Sequence, residues 1–218
     1  MNSLHFRDRC DAGRQLARRL TGFAGRGDVL VLGLARGGVP VAFEVARALG
    51  APLDVLIIRK LGVPGQRELA MGAIASGGVR VLNAQIVRRI PNAEAVIEEV
   101  AGAEQRELER RERQYRGDRA ASEVSGKVVI VVDDGLATGA SMRAAVLALR
   151  QRAAAHVVVA VPIGSPEACA ALATEADELI CLTAPLDFDA VGQAYDDFSQ
   201  TMDDEVRGLL AEADASAQ

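Results

Sequence analysis

The sequence predicts an α/β fold built on a doubly wound, mainly parallel sheet. Half of its 218 residues are hydrophobic, with 3% aromatics and no Trp, so the core must consist mainly of Val, Leu, Ile and Ala. Short β-branched runs show no alternation of apolar and polar side chains, which is typical of strands buried on both faces. These runs are Val29–Leu34, Leu53–Ile58, Val128–Val132, Val157–Val161 and, more weakly, Leu179–Leu182.

Helices are predicted between these strands, and this alternation is typical of a doubly wound α/β domain. Val39–Leu49 follows the first strand, and Gly139–Arg152 follows the third. Ser165-Pro166 opens another helix after the fourth strand, because Ser is a favoured N-cap and Pro is tolerated at the first helical position.

A long excursion separates the second and third predicted strands. Met71–Ser76 and Val79–Asn83 flank Gly77-Gly78, which predicts a β-hairpin. A polar helix then runs from Asn92 to about Tyr115, with several Glu residues placed four positions before Arg, the favourable order. The hairpin and helix form an insertion at about residues 70–118. The even mixing of charge signs favours a solvated or partner-facing helix over a nucleic-acid contact.

The chain length fits one large domain, or a core with a small appendage. No internal repeat or low-complexity linker is visible, so residues 1–218 are predicted to form a single domain. The tail after about Ala211 is expected to fray.

Charge and cysteine content exclude several classes of protein. The 25 basic and 30 acidic residues give a formal charge of −5, which does not support broad nucleic-acid binding. Cys10, Cys169 and Cys181 form no CxxC pair, which favours a reduced, intracellular setting. Residues 1–20 are charged throughout and the longest apolar runs are strand-sized, so neither a signal peptide nor a membrane span is expected. These features predict a cytoplasmic location.

The segment Val128–Ser141 is the most informative stretch. A predicted buried strand ends in two adjacent carboxylates, Asp133 and Asp134, at the position where open α/β sheets bind ligands. The backbone N–H groups that follow suit a phosphate at a helix N-terminus, assisted by two hydroxyls. They belong to Ala137, Thr138, Gly139, Ala140 and Ser141. Because like charges repel, the acids suit sugar hydroxyls beside the phosphate, and the segment predicts binding of a phosphorylated polyol.

This segment resembles the signature of type I phosphoribosyltransferases for 5-phosphoribosyl 1-diphosphate (PRPP). The shared features are a hydrophobic strand, two acids, three residues, Thr-Gly and a following helix. Two other interpretations are weaker. One is an ordinary strand–turn–helix with solvated acids, and the other is a receiver-domain acidic pocket, which would need a Lys after Lys127 that the sequence lacks. The order of segments along most of the chain is similar to that of a bacterial subgroup of predicted phosphoribosyltransferases.

The resemblance implies transfer of a phosphoribosyl group from PRPP to a nitrogen nucleophile such as a nucleobase, with release of pyrophosphate. Asp133 and Asp134 would hold the ribose hydroxyls as part of the catalytic site. Mg²⁺ would arrive with PRPP, since it favours substrate phosphates over an all-protein cage, and would contact the two acids only through water.

A second predicted phosphate contact follows the first strand. The spacing from Gly33 to Gly38 is not a nucleotide P-loop, because Val39-Pro40 occupy the Lys-Ser/Thr positions. The resemblance implies that backbone N–H groups and a cation of this loop grip pyrophosphate. They belong to Ala35, Arg36, Gly37 and Gly38.

Arg59 and Lys60 end the second predicted strand, just before a segment rich in Gly and Pro. The resemblance implies that both side chains clamp pyrophosphate during catalysis. It also implies that a mobile catalytic loop begins here, at about residues 61–70. Arg67 and Glu68 lie in that loop and are weaker candidates.

The resemblance further implies a hood over the acceptor, at about residues 184–210. Candidate contacts are Pro162, after the fourth strand, and Phe188 and Tyr195, whose rings could stack on a base. Core packing explains the two aromatic residues equally well. Ala137 stands where hypoxanthine-guanine enzymes have an acid before the Thr, which disfavours a 6-oxopurine acceptor.

Two other activities stay open at this level. A protein that senses PRPP without turnover would carry the same binding signature, and a phosphorylase-like enzyme could use a related sugar phosphate. The cations retained in the loops favour an enzyme, and no basic groove for nucleic acid is evident. A PRPP-dependent transferase is the leading hypothesis, with a homodimer as one option for its assembly.

Overall fold

The computed structural model describes residues 5–117 and 119–216, apart from the side chains of Arg67 and Glu68. Within them, the predicted doubly wound, mainly parallel α/β fold is confirmed. The elements in chain order are α1 (Arg9–Ala17), β1 (Val29–Leu34), α2 (Gly38–Leu49), β2 (Leu53–Leu56), β3 (Ile58–Val63), β4 (Gln66–Ala75), β5 (Val79–Leu82), α3 (Ala84–Val87), α4 (Ala93–Arg116), β6 (Val128–Val132), α5 (Ala140–Gln151), β7 (His156–Ile163), α6 (Pro166–Leu172), β8 (Glu178–Thr183) and α7 (Asp203–Ser216). Single turns of 3₁₀ helix lie at Thr21–Phe23 and Val191–Ala194.

The main sheet has the strand order β2-β1-β6-β7-β8, and all neighbouring strands are parallel. Its strands show why the apolar runs do not alternate, because every residue of β1 and β6 is buried. In β1, Val29 and Val31 pack with residues of α2, α4 and α7, whereas Leu30 and Leu32 pack with residues of α5 and α6 on the opposite face. Helices therefore cover both faces of the sheet.

The second predicted strand, Leu53–Ile58, is divided between two sheets. Its first part forms β2, and its last residue begins β3 in a separate antiparallel sheet of order β3-β4-β5. Ser76 holds the turn between them, since its hydroxyl accepts the N–H of Ile57 at 3.0 Å and its own N–H donates to the Ile57 carbonyl at 2.9 Å. Arg59 and Lys60 lie within β3, so the prediction that they end a strand of the main sheet is wrong.

The predicted hairpin and long helix are both present. β4 and β5 pair across Gly77-Gly78, whose φ angles of 85° and 76° favour glycine, and α4 covers the predicted polar helix. The segment 61–70, predicted as a loop, consists mostly of strand, because β3 and β4 pair across a turn at Pro64-Gly65. Arg67 and Glu68 were predicted as weaker candidates for catalytic residues of this loop. Their side chains lie outside the part of the chain that the structure describes.

Both ends of the described chain form helices that the sequence analysis did not identify. α1 begins after Asp8, whose side chain caps its N-terminus. α7 continues to Ser216 and buries Val206 and Leu210 against the main core. The residues after Ala211, where fraying was expected, are helical as far as Ser216. No helix within the described ranges has the length and apolar character needed to cross a membrane.

Candidate active site

The carboxyl ends of β1 and β6 lie side by side at the centre of the main sheet. Gly33 is paired with Val132, so the loops that follow the two strands start from the same edge. The chain leaves β1 toward β2 on one side and leaves β6 toward β7 on the other. A crevice opens between the loops at such a reversal of strand order, and ligands of open α/β sheets usually bind there.

The two loops meet at Asp133 and Asp134, directly after β6. A Cβ atom added to Gly37 would lie 2.0 Å from Oδ2 of Asp134. One added to Gly38 would lie 2.5 Å from the carbonyl oxygen of Val132 and 2.8 Å from Cα of Asp133. Because no side chain fits at either glycine, the loop predicted for pyrophosphate is in direct contact with the acid pair.

Within the part of the chain that the structure describes, each acid has one carboxylate oxygen engaged and one without a protein partner. Oδ1 of Asp133 accepts the N–H of Asp134 at 2.9 Å. Oδ2 of Asp134 accepts the Nε–H of Arg9 at 2.8 Å, and Nη2 of the same guanidinium lies 2.8 Å from that oxygen. Within the described ranges no buried side-chain nitrogen or oxygen lacks a hydrogen-bond partner, so solvent reaches the two remaining oxygens. Oδ2 of Asp133 and Oδ1 of Asp134 are thus two acceptors on consecutive residues, and a diol needs two acceptors.

Burial makes both acids costly to ionise. It raises the pKa of Asp133 well above its ordinary value, and the neighbouring charge of Asp134 raises it further. Burial also raises the pKa of Asp134, although the guanidinium of Arg9 opposes this change. Strongly perturbed acids in a crevice are common at functional sites, where a ligand supplies the missing donors or positive charge.

Arg9 is a site residue that the sequence analysis missed. It lies 125 positions from Asp134, and its Nη1 donates to the Ser199 carbonyl at 2.6 Å. Its Cζ atom lies 4.1 Å from the ring centroid of Phe198. The hydroxyl of Tyr195 donates to the carbonyl of Asp134 at 2.7 Å. No local pattern marks these contacts, because they arise only from packing of distant segments over the edge of the sheet.

The turn after the acids leaves its amides free. Among the described residues, the N–H groups of Ala137, Thr138 and Gly139 donate no hydrogen bond. Gly139 has a φ of 71° and caps α5 without a side-chain hydrogen bond. Ser165 stabilises the turn through two hydrogen bonds to its carbonyl groups. Its N–H donates to the Leu136 carbonyl and its hydroxyl to the Ala137 carbonyl, each at 2.8 Å.

The predicted phosphate-binding residues are therefore gathered at one helix N-terminus. Ala140 and Ser141 form the first turn of α5, and the Thr138 hydroxyl lies 3.4 Å from the Ala140 nitrogen. Uncapped N–H groups at the start of a helix are a general anion-binding arrangement. Binding of the 5′-phosphate at this place stays a prediction.

Three of the four residues in the loop after β1 that were predicted to bind pyrophosphate keep their backbone N–H groups free. Arg36, Gly37 and Gly38 donate no hydrogen bond within the described ranges, whereas Ala35 donates to the Leu56 carbonyl at 3.0 Å. The prediction for the Ala35 amide is wrong, because the parallel pairing of β1 with β2 continues one residue beyond the end of β1.

The three cations predicted for pyrophosphate lie in different surroundings. The guanidinium of Arg36 is 3.7 Å from Asp203 of α7, and that of Arg59 is bonded to Glu104 of α4 at 2.7 Å. Lys60 follows Arg59 on β3 and points to the opposite face, since side chains alternate along a strand. There it lines a cavity of about 560 Å³ together with residues from the first turn of α5. Arg59 and Lys60 therefore do not form a common clamp in this structure.

The three residues that were predicted to contact the acceptor are buried or partly buried in the protein. Pro162 is buried inside β7, so its prediction as part of a loop after the strand is wrong. Tyr195 is 6% exposed, and its ring lies 5.5 Å from that of Phe6 and 5.0 Å from that of Phe198. Its hydroxyl is bonded as well, so the core-packing explanation applies to Tyr195. Phe188 is partly buried and packs against the hydrophobic cluster that contains Phe6 and Tyr195.

Comparison with known sequences identifies the family. The family model of the phosphoribosyl transferase domain matches residues 6–198. A Mycobacterium tuberculosis protein named "Putative phosphoribosyl transferase" is 52% identical over 208 residues, which are 95% of this chain and 47% of that protein. The chain therefore spans about half the length of the curated relatives it matches.

Two solved structures share the fold. TT1426 from Thermus thermophilus has a TM-score of 0.86 and 44% identity, covering 96% of this chain and 99% of that one. A hypothetical protein from Neisseria gonorrhoeae with bound ppGpp has a TM-score of 0.52 and 15% identity, covering 97% and 98% of the two chains, and this likeness shows the fold alone. Because the family match includes both loops of the crevice and most of the chain, this protein belongs to the phosphoribosyl transferase domain family.

Proposed function

We propose that this chain binds Mg-PRPP in the crevice and transfers its phosphoribosyl group to a nucleobase-like nitrogen nucleophile, releasing pyrophosphate. One observation carries the proposal. Among the described residues, one carboxylate oxygen each of Asp133 and Asp134 has no protein partner, and the amides of the turn Ala137–Gly139 before α5 have no protein acceptor. A phosphorylated ribose needs both features, and the family membership of the chain agrees with it.

The ribose and its 5′-phosphate bind on opposite sides of the turn. Oδ2 of Asp133 and Oδ1 of Asp134 accept hydrogen bonds from ribose hydroxyls. The amides of Ala137, Thr138 and Gly139 donate to the phosphate, and hydrogen bonds to a charged group contribute about 1.5–3 kcal/mol each. Like-charge repulsion keeps the phosphate away from the acids, so the two groups also set the direction of the substrate.

The chemistry requires stabilisation of separated charge. Departure of pyrophosphate leaves an oxocarbenium-like sugar, as in glycoside hydrolysis. The acid pair stabilises positive charge on the ribose, while the free amides of Arg36, Gly37 and Gly38 stabilise negative charge on the leaving group. The side chains of Arg36 and Lys60 add cations. Arg59 joins them only if its ion pair with Glu104 opens.

The donor set fits Mg²⁺ that arrives with the substrate. The free oxygens of Asp133 and Asp134 are hard ligands, which Mg²⁺ prefers. The described ranges hold no group of three or more His, Cys, Asp or Glu side chains placed to bind a metal. Two carboxylates do not make a cage, so pyrophosphate oxygens would hold the ion, with the acids contacting it through water. Mg²⁺ would neutralise charge on the leaving group.

Binding is tested by thermal unfolding with Mg-PRPP. A ligand at about 100 times its Kd stabilises the folded state by about 2.7 kcal/mol, which raises the Tm of a chain of this size by about 5–11 °C. The Asp133→Asn/Asp134→Asn double variant should show little of this shift. Asp28→Asn is the matched control, because Asp28 is exposed and precedes β1 at the opposite edge of the sheet. Equal shifts in the double variant and the wild type would contradict the ribose assignment.

Transfer is tested by pyrophosphate release from Mg-PRPP with a panel of nucleobases and amines. We expect release with at least one acceptor and none with the double variant. Tight binding of Mg-PRPP without release for any acceptor would contradict transfer, and no observation on the described residues favours that outcome.

A further inference from the structure

Helix α1 contributes one buried side chain, Arg9, to the crevice. Its Nε donates to Oδ2 of Asp134 at 2.8 Å, and its Nη2 lies at the same distance from that oxygen within the ion pair. The Arg9 side chain is 12% exposed and that of Asp134 is 15% exposed. Neighbouring arginines are much more accessible, at 72% for Arg7 and 49% for Arg14. Arg9 is thus distinguished from the surface ion pairs of the same segment.

Other contacts hold the guanidinium of Arg9 in place. Its Nη1 donates to the Ser199 carbonyl at 2.6 Å, and its Cζ atom lies 4.1 Å from the ring centroid of Phe198, within cation–π range. An arginine that is so enclosed is not available to bind pyrophosphate directly. Any role in the reaction therefore has to act through Asp134.

Asp134 is held at every polar atom except one. Its N–H donates to Oδ1 of Asp133 at 2.9 Å, and its carbonyl accepts the hydroxyl of Tyr195 at 2.7 Å. Arg9 occupies Oδ2, and Gly37 lies so close to that oxygen that no side chain would fit between them. Only Oδ1 has no partner among the described residues. Without Arg9, rotation about the side-chain torsions would let either oxygen face the crevice.

We propose that Arg9 is a positioning residue for phosphoribosyl transfer, because by occupying Oδ2 of Asp134 it presents Oδ1 to a ribose hydroxyl. The inference rests on the proposed function, since it assigns Asp134 to the ribose. The pairing also balances the charge of a carboxylate that would otherwise be poorly compensated in the crevice.

The test compares the binding of Mg-PRPP by isothermal titration calorimetry for the wild type and three variants. Loss of one hydrogen bond between the ribose and a charged carboxylate corresponds to about 10- to 100-fold in affinity, so Arg9→Ala should raise the Kd by about that factor. Arg9→Lys should also raise it, because an ammonium lacks the planar fork with which the guanidinium donates to both Asp134 and Ser199. Arg7→Ala is the matched control, which removes a nearby exposed arginine, and should leave the Kd within about twofold. Arg9→Lys decides the question if Arg9→Ala does not fold.

The shape of the isotherm separates positioning from a merely structural role. Loss of folded protein lowers the number of sites per chain at an unchanged Kd, and that result would overturn the proposal. In an Asp134→Asn background, Arg9→Ala should add less than about twofold, because the two residues act as one unit. Methylguanidine should restore part of the affinity to Arg9→Ala but none to Asp134→Asn.

The two proposals fail in different ways. A wild type that does not bind Mg-PRPP refutes the proposed function and the role of Arg9 with it. A wild type that binds Mg-PRPP as tightly as both Arg9 variants refutes only the positioning role.

Discussion

Replacing Gly37 by alanine should displace the carboxylate of Asp134. The backbone of Gly37 has φ −59° and ψ −30°, which any residue adopts, so alanine brings no conformational strain. Its Cβ atom would lie 2.0 Å from Oδ2 of Asp134 and 2.7 Å from Cγ. That oxygen has to retreat by about 1.4 Å to reach ordinary van der Waals contact, and Arg9 holds it on the other side at 2.8 Å.

The expected loss of stability follows from this overlap. Overpacking in a close-packed site usually costs about 1–3 kcal/mol, and weakening the buried pair of Arg9 and Asp134 adds to that cost. We therefore expect Gly37→Ala to reduce the free energy of unfolding by about 3 kcal/mol, and the Tm by about 6–12 °C. Urea unfolding monitored by circular dichroism measures the free energy, and calorimetry measures the Tm.

Two further variants make this prediction specific. Gly208→Ala is the matched control, because Gly208 is an exposed residue of α7 with nothing within 4 Å of its added Cβ, and alanine there should stabilise by about 0.5–1 kcal/mol. In an Asp134→Ala background the clash disappears, so Gly37→Ala should cost less than about 1 kcal/mol. An equal loss in both backgrounds would refute the assignment of the contact.

Two other predictions concern buried charge. Asp133→Asn should stabilise the free protein at neutral pH by about 1–3 kcal/mol, because a carboxyl whose pKa is raised in the folded state weakens stability once it ionises. This gain in stability should be absent below the usual pKa of 3.8 and should grow as the pH rises toward the raised pKa. Tm measurements of the variant and the wild type across that pH range test it. A gain that does not change with pH would contradict the prediction. Arg116→Ala should cost about 3–5 kcal/mol in urea unfolding, because Asp54, 1% exposed, loses the nearer of its two arginine partners, at 2.8 Å, and keeps Arg119 at 3.5 Å. A loss below about 1 kcal/mol would show that other groups compensate.

Much of the fold was predictable because strands and helices depend on short-range patterns. The run of five buried residues that forms β6 reflects a strand covered on both faces, and the Ser165-Pro166 pair marks a helix start through local hydrogen bonding. Both features are properties of neighbouring residues. The acids and the small-residue turn after β6 were recognisable for the same reason.

The predictions of the fold were wrong where one local sequence pattern is compatible with two different structures. The apolar run Leu53–Ile58 suits one strand, and only the hydrogen bonds of Ile57 with Ser76 divide it between two sheets. Arg59 and Lys60 therefore lie in the antiparallel sheet and not in the main sheet, where the sequence placed them. The helix at the C-terminal end has few apolar residues, and its stability comes from packing Val206 and Leu210 on the core.

Two acids, a turn rich in amides and a loop of glycines can each be read from a few consecutive residues, so the groups available to the crevice were predictable. Which of their atoms are free depends on long-range packing. Arg9 takes one oxygen of Asp134 from 125 positions away, and Tyr195 takes its carbonyl from 61 positions away. Such contacts depend on how whole elements pack together, and packing over long separations leaves no periodic trace in the order of the residues.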